Sequence, residues 1–483
     1  MTESESRQRD PKTRAQKIIN YFIRIYEKKA QTSPNPLRYI DAFVERISQL
    51  LNIKDYLSPY KPLRATIGDV DPRTFGRTRN GEIDQMEPQF ADLADELLLN
   101  PGTDRYQKML LERVALETQD YNNLSRGAPS QYDTATRGLL ISRQTIAHEA
   151  SELGIVVNEN NVWMGDGGMG ILVRSFRNLN NYLKQKNGEN YQPTLVVSSP
   201  CFKMAVNAAS DNGLKIINID ASDLPKKQLT AQRLNEQLCD KKPDIFLITL
   251  ADNPTSRSVD PENLRELIES FLKINPEGYF IFDMAYMSMI PKERALDIMR
   301  VIEETGAVER AIFAFSESKR FAIPGLRVGA AVILGEELKT AFQSDAMRCY
   351  PGYSKSIDYE FAVRSRMVLS ESIDKYIALL RQRQFYLLTV LKTLDPNREL
   401  FEGLDDILIP GYENELSQAT LIQDVPLYLY VKLKEGVSAW DLIKKLNIVG
   451  VPGEVFGDTQ NYVRFSVGVV STSDILSLLQ NHP

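Results

Sequence analysis

The segment Ser316-Glu317-Ser318-Lys319 stands directly after the apolar run AIFAF, and Arg327 follows Lys319 by eight residues. A lysine flanked by hydroxyls and a guanidinium can combine amine chemistry with the holding of an anion. Far upstream, Gly167-Gly168-Met169-Gly170 precedes the helical pattern ILVRSFRNLNNYLK. Unpaired backbone N–H groups and the helix dipole converge at such a start, and glycine lets an anion approach the backbone closely. Asp283 ends the run YFIFD, Tyr286 follows it by three residues, and Asn253 opens Asn-Pro-Thr. Arg464 sits in YVRFSVG, after the turn VPGEVFG. Only two histidines occur, His148 and His482, so proton transfer falls to another residue type, and Lys319 has few rivals.

These residues need strands and helices to position them. Between residues 155 and 335 the chain alternates short apolar runs with helical stretches such as ENLRELIESFLK. NVWMG, TLVVSS, KIINI, DIFLITL, YFIFD, AIFAF and RVGAAVIL read as strands, a pattern that predicts a mainly parallel sheet with crossover helices. In open α/β sheets the ends of strands carry the ligand contacts, which is where Asp283 and Lys319 fall. Residues 14 to 52 hold two apolar-periodic stretches split by SPNPL and read as two helices. RATIGDVDP reads as a short strand closed by Gly68 and Pro72. A long helical region over roughly 357 to 394 precedes a tail of strands (LYLYVKL, YVRFSVG) and a helix (SAWDLIKKLN).

The chain has 483 residues, two to three times a typical single core, so more than one domain is expected. Its hydrophobic share of 43% and charged share of 25% are those of a globular protein. A net charge of −6 gives no reason to expect nucleic acid, and no apolar run is long enough for a membrane helix. The polar start MTESESRQRDPKTR is unlike a signal peptide. Cys201, Cys239 and Cys349 are far apart and odd in number, which fits reduced thiols in the cytoplasm, with no disulfide framework and no metal site.

Taken in order and at these separations, the motifs resemble the class I/II aminotransferase family, the fold-type-I pyridoxal-phosphate (PLP) enzymes of the aspartate aminotransferase superfamily. The resemblance covers roughly residues 60–75 and 125–470. It implies an α/β PLP-transferase fold, with a seven-stranded, mainly parallel sheet in a large domain and a smaller α+β C-terminal domain. It also implies that Lys319 carries the cofactor as a Schiff base and then moves the substrate Cα proton. Asp283 would pair with the pyridine nitrogen, and Tyr286 and Asn253 with the phenolic oxygen. Gly168 and Met169, through their backbone, would take the phosphate with Ser316, Ser318 and Arg327. Phe202 would stack on the ring, and Tyr132 would reach the phosphate of a neighbouring subunit, which makes a homodimer or higher homo-oligomer the expected assembly. Arg464 would take the substrate α-carboxylate, and Gly68 would lie at the substrate edge.

The resemblance divides the chain into an N-terminal helical extension (1–60), a large domain (76–345, with an insertion near 76–125) and a small domain (61–75 with 357–483). The implied activity is ping-pong transfer of an amino group between an L-amino acid and a 2-oxo acid. There are departures. The family's NPTG-type turn reads NPTSRSVDP, which brings in Arg257, and Gly68 stands 64 residues before Tyr132. Such additions alter substrate choice or assembly, so a PLP-dependent β-decarboxylase or lyase, or an oxidase or cyclase, stays open beside the aminotransferase. A PLP-fold protein without catalysis is the reading from another class. Arg348, Tyr350 and Tyr353 are candidates for the substrate side chain, and Cys201 reads as a packing residue.

Overall fold

A computed structural model describes residues 11–32, 36–52, 61–66, 68–78, 81–122, 137–349, 353–415 and 419–480. The chain forms two units, Met1–Ala91 with Ala378–Pro483, and Asp92–Ile377.

The first unit begins with two helices, α1 (Pro11–Thr32) and α2 (Pro36–Asn52). Ile19, Ile23 and Ala30 of α1 meet Ile40, Phe43, Val44, Ile47 and Leu51 of α2, and all are buried. Spacings of three, four and seven residues put each set on one helix face, and burying each large side chain contributes roughly 1.5–3 kcal/mol. The strand β1 is shorter than RATIGDVDP suggests, since only Leu63–Arg64 pairs. The chain then bends at Gly68, where a Cβ would come 2.0 Å from the hydroxyl of Tyr428, so the backbone passes too close to that ring to continue as a ladder.

The second unit holds seven strands, β2 (Val162–Asp166), β3 (Thr194–Ser199), β4 (Lys215–Asp220), β5 (Ile245–Thr249), β6 (Tyr279–Asp283), β7 (Ala311–Ser316) and β8 (Val328–Ile333). They order as β2-β8-β7-β6-β5-β3-β4, with β8 antiparallel to both its neighbours and the other pairs parallel. The seven runs read from the sequence are these seven strands. Layers cover both faces, so β5, β6 and β7 are apolar up to their last residues, Thr249, Asp283 and Ser316. Tyr279, Ile281, Ile312 and Ala314 face a core with Leu172, Phe176 and Leu179 of the helix Gly167–Asn187. The alternate residues Phe280, Phe282 and Phe313 stack in a row, with centroids 5.5 and 5.4 Å apart.

The chain returns to the first unit with β9 (Phe401–Glu402), β10 (Ile407–Leu408), β11 (Leu421–Ile422), β12 (Tyr428–Leu433), β13 (Ile448–Val449), β14 (Val451–Pro452) and β15 (Tyr462–Ser466). The order β14-β15-β12-β9 makes an antiparallel sheet, while β1 pairs with β13 and β10 with β11. Beside it, Glu87 and Arg383 form an ion pair with no exposed surface on either side chain.

Candidate active site

The chemistry-bearing residues of the second unit gather at the carboxyl ends of parallel strands. Gly167 follows β2, Phe202 follows β3, Asn253 follows β5, Asp283 ends β6, and Ser316 ends β7 ahead of Ser318 and Lys319. β3 connects outward to β4 and β5 connects the other way to β6, so the two strands flank a topological switch point, where such sheets leave a crevice.

A cradle lies at the start of the helix Gly167–Asn187. A Cβ on Gly167, whose φ is +75°, would fall 2.6 Å from Nη2 of Arg327, and one on Gly168 would fall 3.2 Å from Oγ of Ser316. Only glycines let the guanidinium and the hydroxyl come this close to the helix N-terminus. Arg327 donates from Nη1 to the Pro324 carbonyl at 2.8 Å and itself holds φ +62°, a left-handed conformation costly for a non-glycine residue. Tyr353 donates to the Arg327 carbonyl at 3.1 Å. Ser318 is buried, and its hydroxyl has no hydrogen-bond partner among the described residues. Met169 turns its side chain into the core, which leaves its backbone to the cradle. The donors are those a phosphate group requires, and they fit PLP.

Lys319 is half-buried in the short helix Glu317–Arg320. Arg320 pairs with Glu149 and anchors that turn. Between the two serines, Glu317 is buried, and burial together with the Glu149 charge pushes its carboxyl well above the ordinary range.

Asp283 is buried and accepts from the Ala285 N–H at 3.0 Å. Burial pushes its carboxyl up to about 6. A carboxylate in this condition gains from a cationic partner, which a protonated pyridine nitrogen supplies. Tyr286 and Asn253 are both buried as well. Asp283 and Phe202 line a cavity of about 70 Å³, together with Cys201, Lys227, Asp252 and Arg257. Asp252 accepts from Thr255 through Oγ1 at 2.7 Å and through N–H at 3.1 Å, and burial pushes it up to about 6. Burial also pushes the Cys201 thiol up to about 12.

Arg464 and Gly68 belong to the first unit. Arg464, 1% exposed, donates from Nη2 to the Thr66 carbonyl, and its guanidinium lies 4.4 Å from the Tyr428 ring centroid and 4.9 Å from that of Phe456. Gly68 borders the same Tyr428 ring. Tyr132, Tyr350 and the Arg348 side chain lie outside the described residues.

Asp252 and Lys227 escaped the sequence reading. Asp252 directly precedes Asn253-Pro254-Thr255, and an Asp three residues before a Thr is the sign of a side-chain-capped turn. Lys227 has a φ of +54° and donates to the Ser222 carbonyl at 2.7 Å, a fold-back with no sequence sign.

The chain belongs to the aminotransferase class I and II family, whose profile matches residues 97–481. The family uses PLP. An LL-diaminopimelate aminotransferase of Protochlamydia amoebophila is 28% identical over 233 residues, 47% of this chain and 51% of the relative. The chain spans about half the length of the curated relatives it matches. Among solved structures, an aspartate aminotransferase from Rhizobium meliloti superposes with a TM-score of 0.62 at 15% identity, over 91% of this chain and 93% of that one. The aspartate aminotransferase of Thermotoga maritima gives 0.59 at 18% identity, over 78% and 87%. These likenesses establish the fold. Among the described residues no helix is long and apolar enough to cross a membrane.

Proposed function

We propose that this protein is a PLP-dependent aminotransferase, moving an amino group between an L-amino acid and a 2-oxo acid in two half-reactions. The carrying observation is the convergence of the glycine–arginine–serine cradle, Lys319 and buried Asp283 on the ends of neighbouring strands. When bound, PLP supplies an electron sink for charge developing at the substrate Cα. The N-terminal N–H groups of the helix at Gly168 and Met169, with Ser316, Ser318 and Arg327, hold its phosphate. Asp283 keeps the proton on the pyridine nitrogen, Asn253 and Tyr286 bond the phenolic oxygen, and Phe202 flanks the ring. Lys319 Nζ is its covalent anchor and the base that takes the Cα proton. Arg464 fixes the substrate α-carboxylate, so that the Cα–H bond is the one broken, and Gly68 borders the substrate.

The working unit in this reading is a homodimer to which each chain lends Tyr132. Leu111, Val114 and Tyr121 support it: they lie exposed along the helix Asp104–Asn122, as an interface would need. A reducing cytoplasm suits the free thiols of Cys201 and Cys239. A second reading, a β-decarboxylase or lyase or an oxidase or cyclase on the same cofactor, draws on Arg257, which is buried at the cavity beside Asp283.

The test is a single turnover of cofactor-loaded enzyme without a 2-oxo acid, across an amino-acid panel led by aspartate and LL-diaminopimelate, the amino acids for which the relatives are named. An aminotransferase stops after one 2-oxo acid per site. Continued turnover that releases CO₂ or ammonia rejects it in favour of the second reading. Silence with the whole panel favours a protein without catalysis.

A further inference from the structure

Asp41 sits in the second turn of α2, 9% exposed, among the apolar residues that pack the helix pair. A buried carboxylate there would be costly without partners. It has them in the segment that follows the helix pair. Arg64 grips it with two parallel bonds, Nε to Oδ1 at 2.7 Å and Nη2 to Oδ2 at 2.6 Å, and the Thr66 hydroxyl donates to Oδ1 at 2.9 Å. Thr66 is fully buried, and its carbonyl accepts from Nη2 of Arg464.

We infer that the N-terminal helix pair positions the substrate-carboxylate arginine, acting through Asp41 and Thr66. The inference rests on the reading of Arg464 as the residue that binds the α-carboxylate. Tyr428 and Phe456 lie against the guanidinium and restrict its tilt, while rotation within its own plane is set by what its N–H groups bond. The Thr66 carbonyl is therefore a stop that helps aim the fork. Among the described residues, the backbone around Thr66 is held by a two-residue ladder and by single bonds, from Leu63 N–H to Asn447 at 2.8 Å, from Ala65 N–H to Val449 at 3.1 Å and from Ser466 N–H to Ala65 at 2.9 Å. Asp41 adds a charge-assisted clamp on both sides of Ala65, through Arg64 and Thr66. Asp41 lies in the N-terminal extension and before residue 97, where the family match begins, so the extension supplies the acid of a clamp whose other members, Arg64 and Thr66, follow it in the chain. Asp41 is a positioning residue: it never meets the substrate, and it acts on the angle at which Arg464 does.

The experiment uses full-length, cofactor-loaded enzyme and the panel amino acid that turns over fastest, comparing Asp41→Asn, Thr66→Val, Thr66→Ser, Arg464→Ala and the Asp41→Asn/Arg464→Ala double variant. Asp41→Asn and Thr66→Val should each raise the amino-acid KM about fivefold to tenfold, with kcat within about twofold of the parent. Thr66→Ser keeps the hydroxyl and should stay within about twofold in KM. On the Arg464→Ala background, Asp41→Asn should add nothing, because the group it aims is gone. Thr66→Val keeps the volume of threonine and Thr66→Ser keeps its hydroxyl, so the pair decides the matter even if Asp41→Asn fails to fold. An unchanged KM with a lowered melting temperature, or an equal rise in KM with and without Arg464, overturns the positioning role. A normal KM in Arg464→Ala overturns the carboxylate reading and the inference with it, whereas failure of the cycle alone leaves that reading standing. A panel with no turnover overturns both.

Discussion

Two buried acids, one in each unit, are treated in opposite ways by the fold. Glu87 in the first unit has its carboxylate saturated. It accepts from Arg383 Nε at 2.7 Å and Nη2 at 2.8 Å, from Thr472 N–H at 2.8 Å and Oγ1 at 2.6 Å, and from Gly76 N–H at 3.3 Å. Asp283 in the second unit, at a strand end, accepts only from Ala285 among the described residues, and its carboxyl is pushed up to about 6 by burial. The first arrangement holds distant chain segments together. The second leaves electrostatic demand unmet inside the protein, as a group kept for a ligand does.

Removing the acid should therefore have opposite consequences at the two sites. Glu87→Ala leaves the buried Arg383 guanidinium without its counter-charge and should cost about 3–5 kcal/mol of stability, read by chemical denaturation. A loss under about 1 kcal/mol would mean that the pair is not a structural tie. Arg464→Ala is next in size, and should weaken amino-acid binding by about 2–4 kcal/mol while cofactor retention barely changes.

Asp283→Asn should do the reverse of Glu87→Ala in the cofactor-free protein. The folded state holds the Asp283 proton more tightly than the unfolded chain does, so the carboxyl subtracts stability as pH rises from about 4 through about 6. The asparagine variant escapes that loss. It should be more stable than the parent at pH 8 by on the order of 2 kcal/mol, an advantage that fades below about pH 4. With cofactor present the ranking should invert. A variant that is less stable than the parent at pH 8 without cofactor would place Asp283 with Glu87, as a residue of the fold.

The two acids also differ in how far the sequence discloses them. Asp283 is legible because its strand is one apolar run and its neighbours in sequence, Ala285 and Tyr286, share its region. The seven strands of the large sheet and the glycine-led helix are legible for the same reason, since periodicity and glycine placement are local signals. Glu87 finds Arg383 across 296 residues, and Asp41 finds Thr66 across 25. Partners chosen by tertiary packing leave no mark on spacing. The left-handed backbone of Arg327 is similarly silent, because arginine is not a residue type that conformation would suggest.

The central claim is that Lys319, in the second unit, anchors the cofactor. Borohydride reduction of the purified, PLP-loaded protein followed by peptide mapping tests it most directly. The account predicts one pyridoxyl label per chain, on Lys319, and none fixed in Lys319→Ala. A label on another lysine, or one that persists in Lys319→Ala, would contradict it.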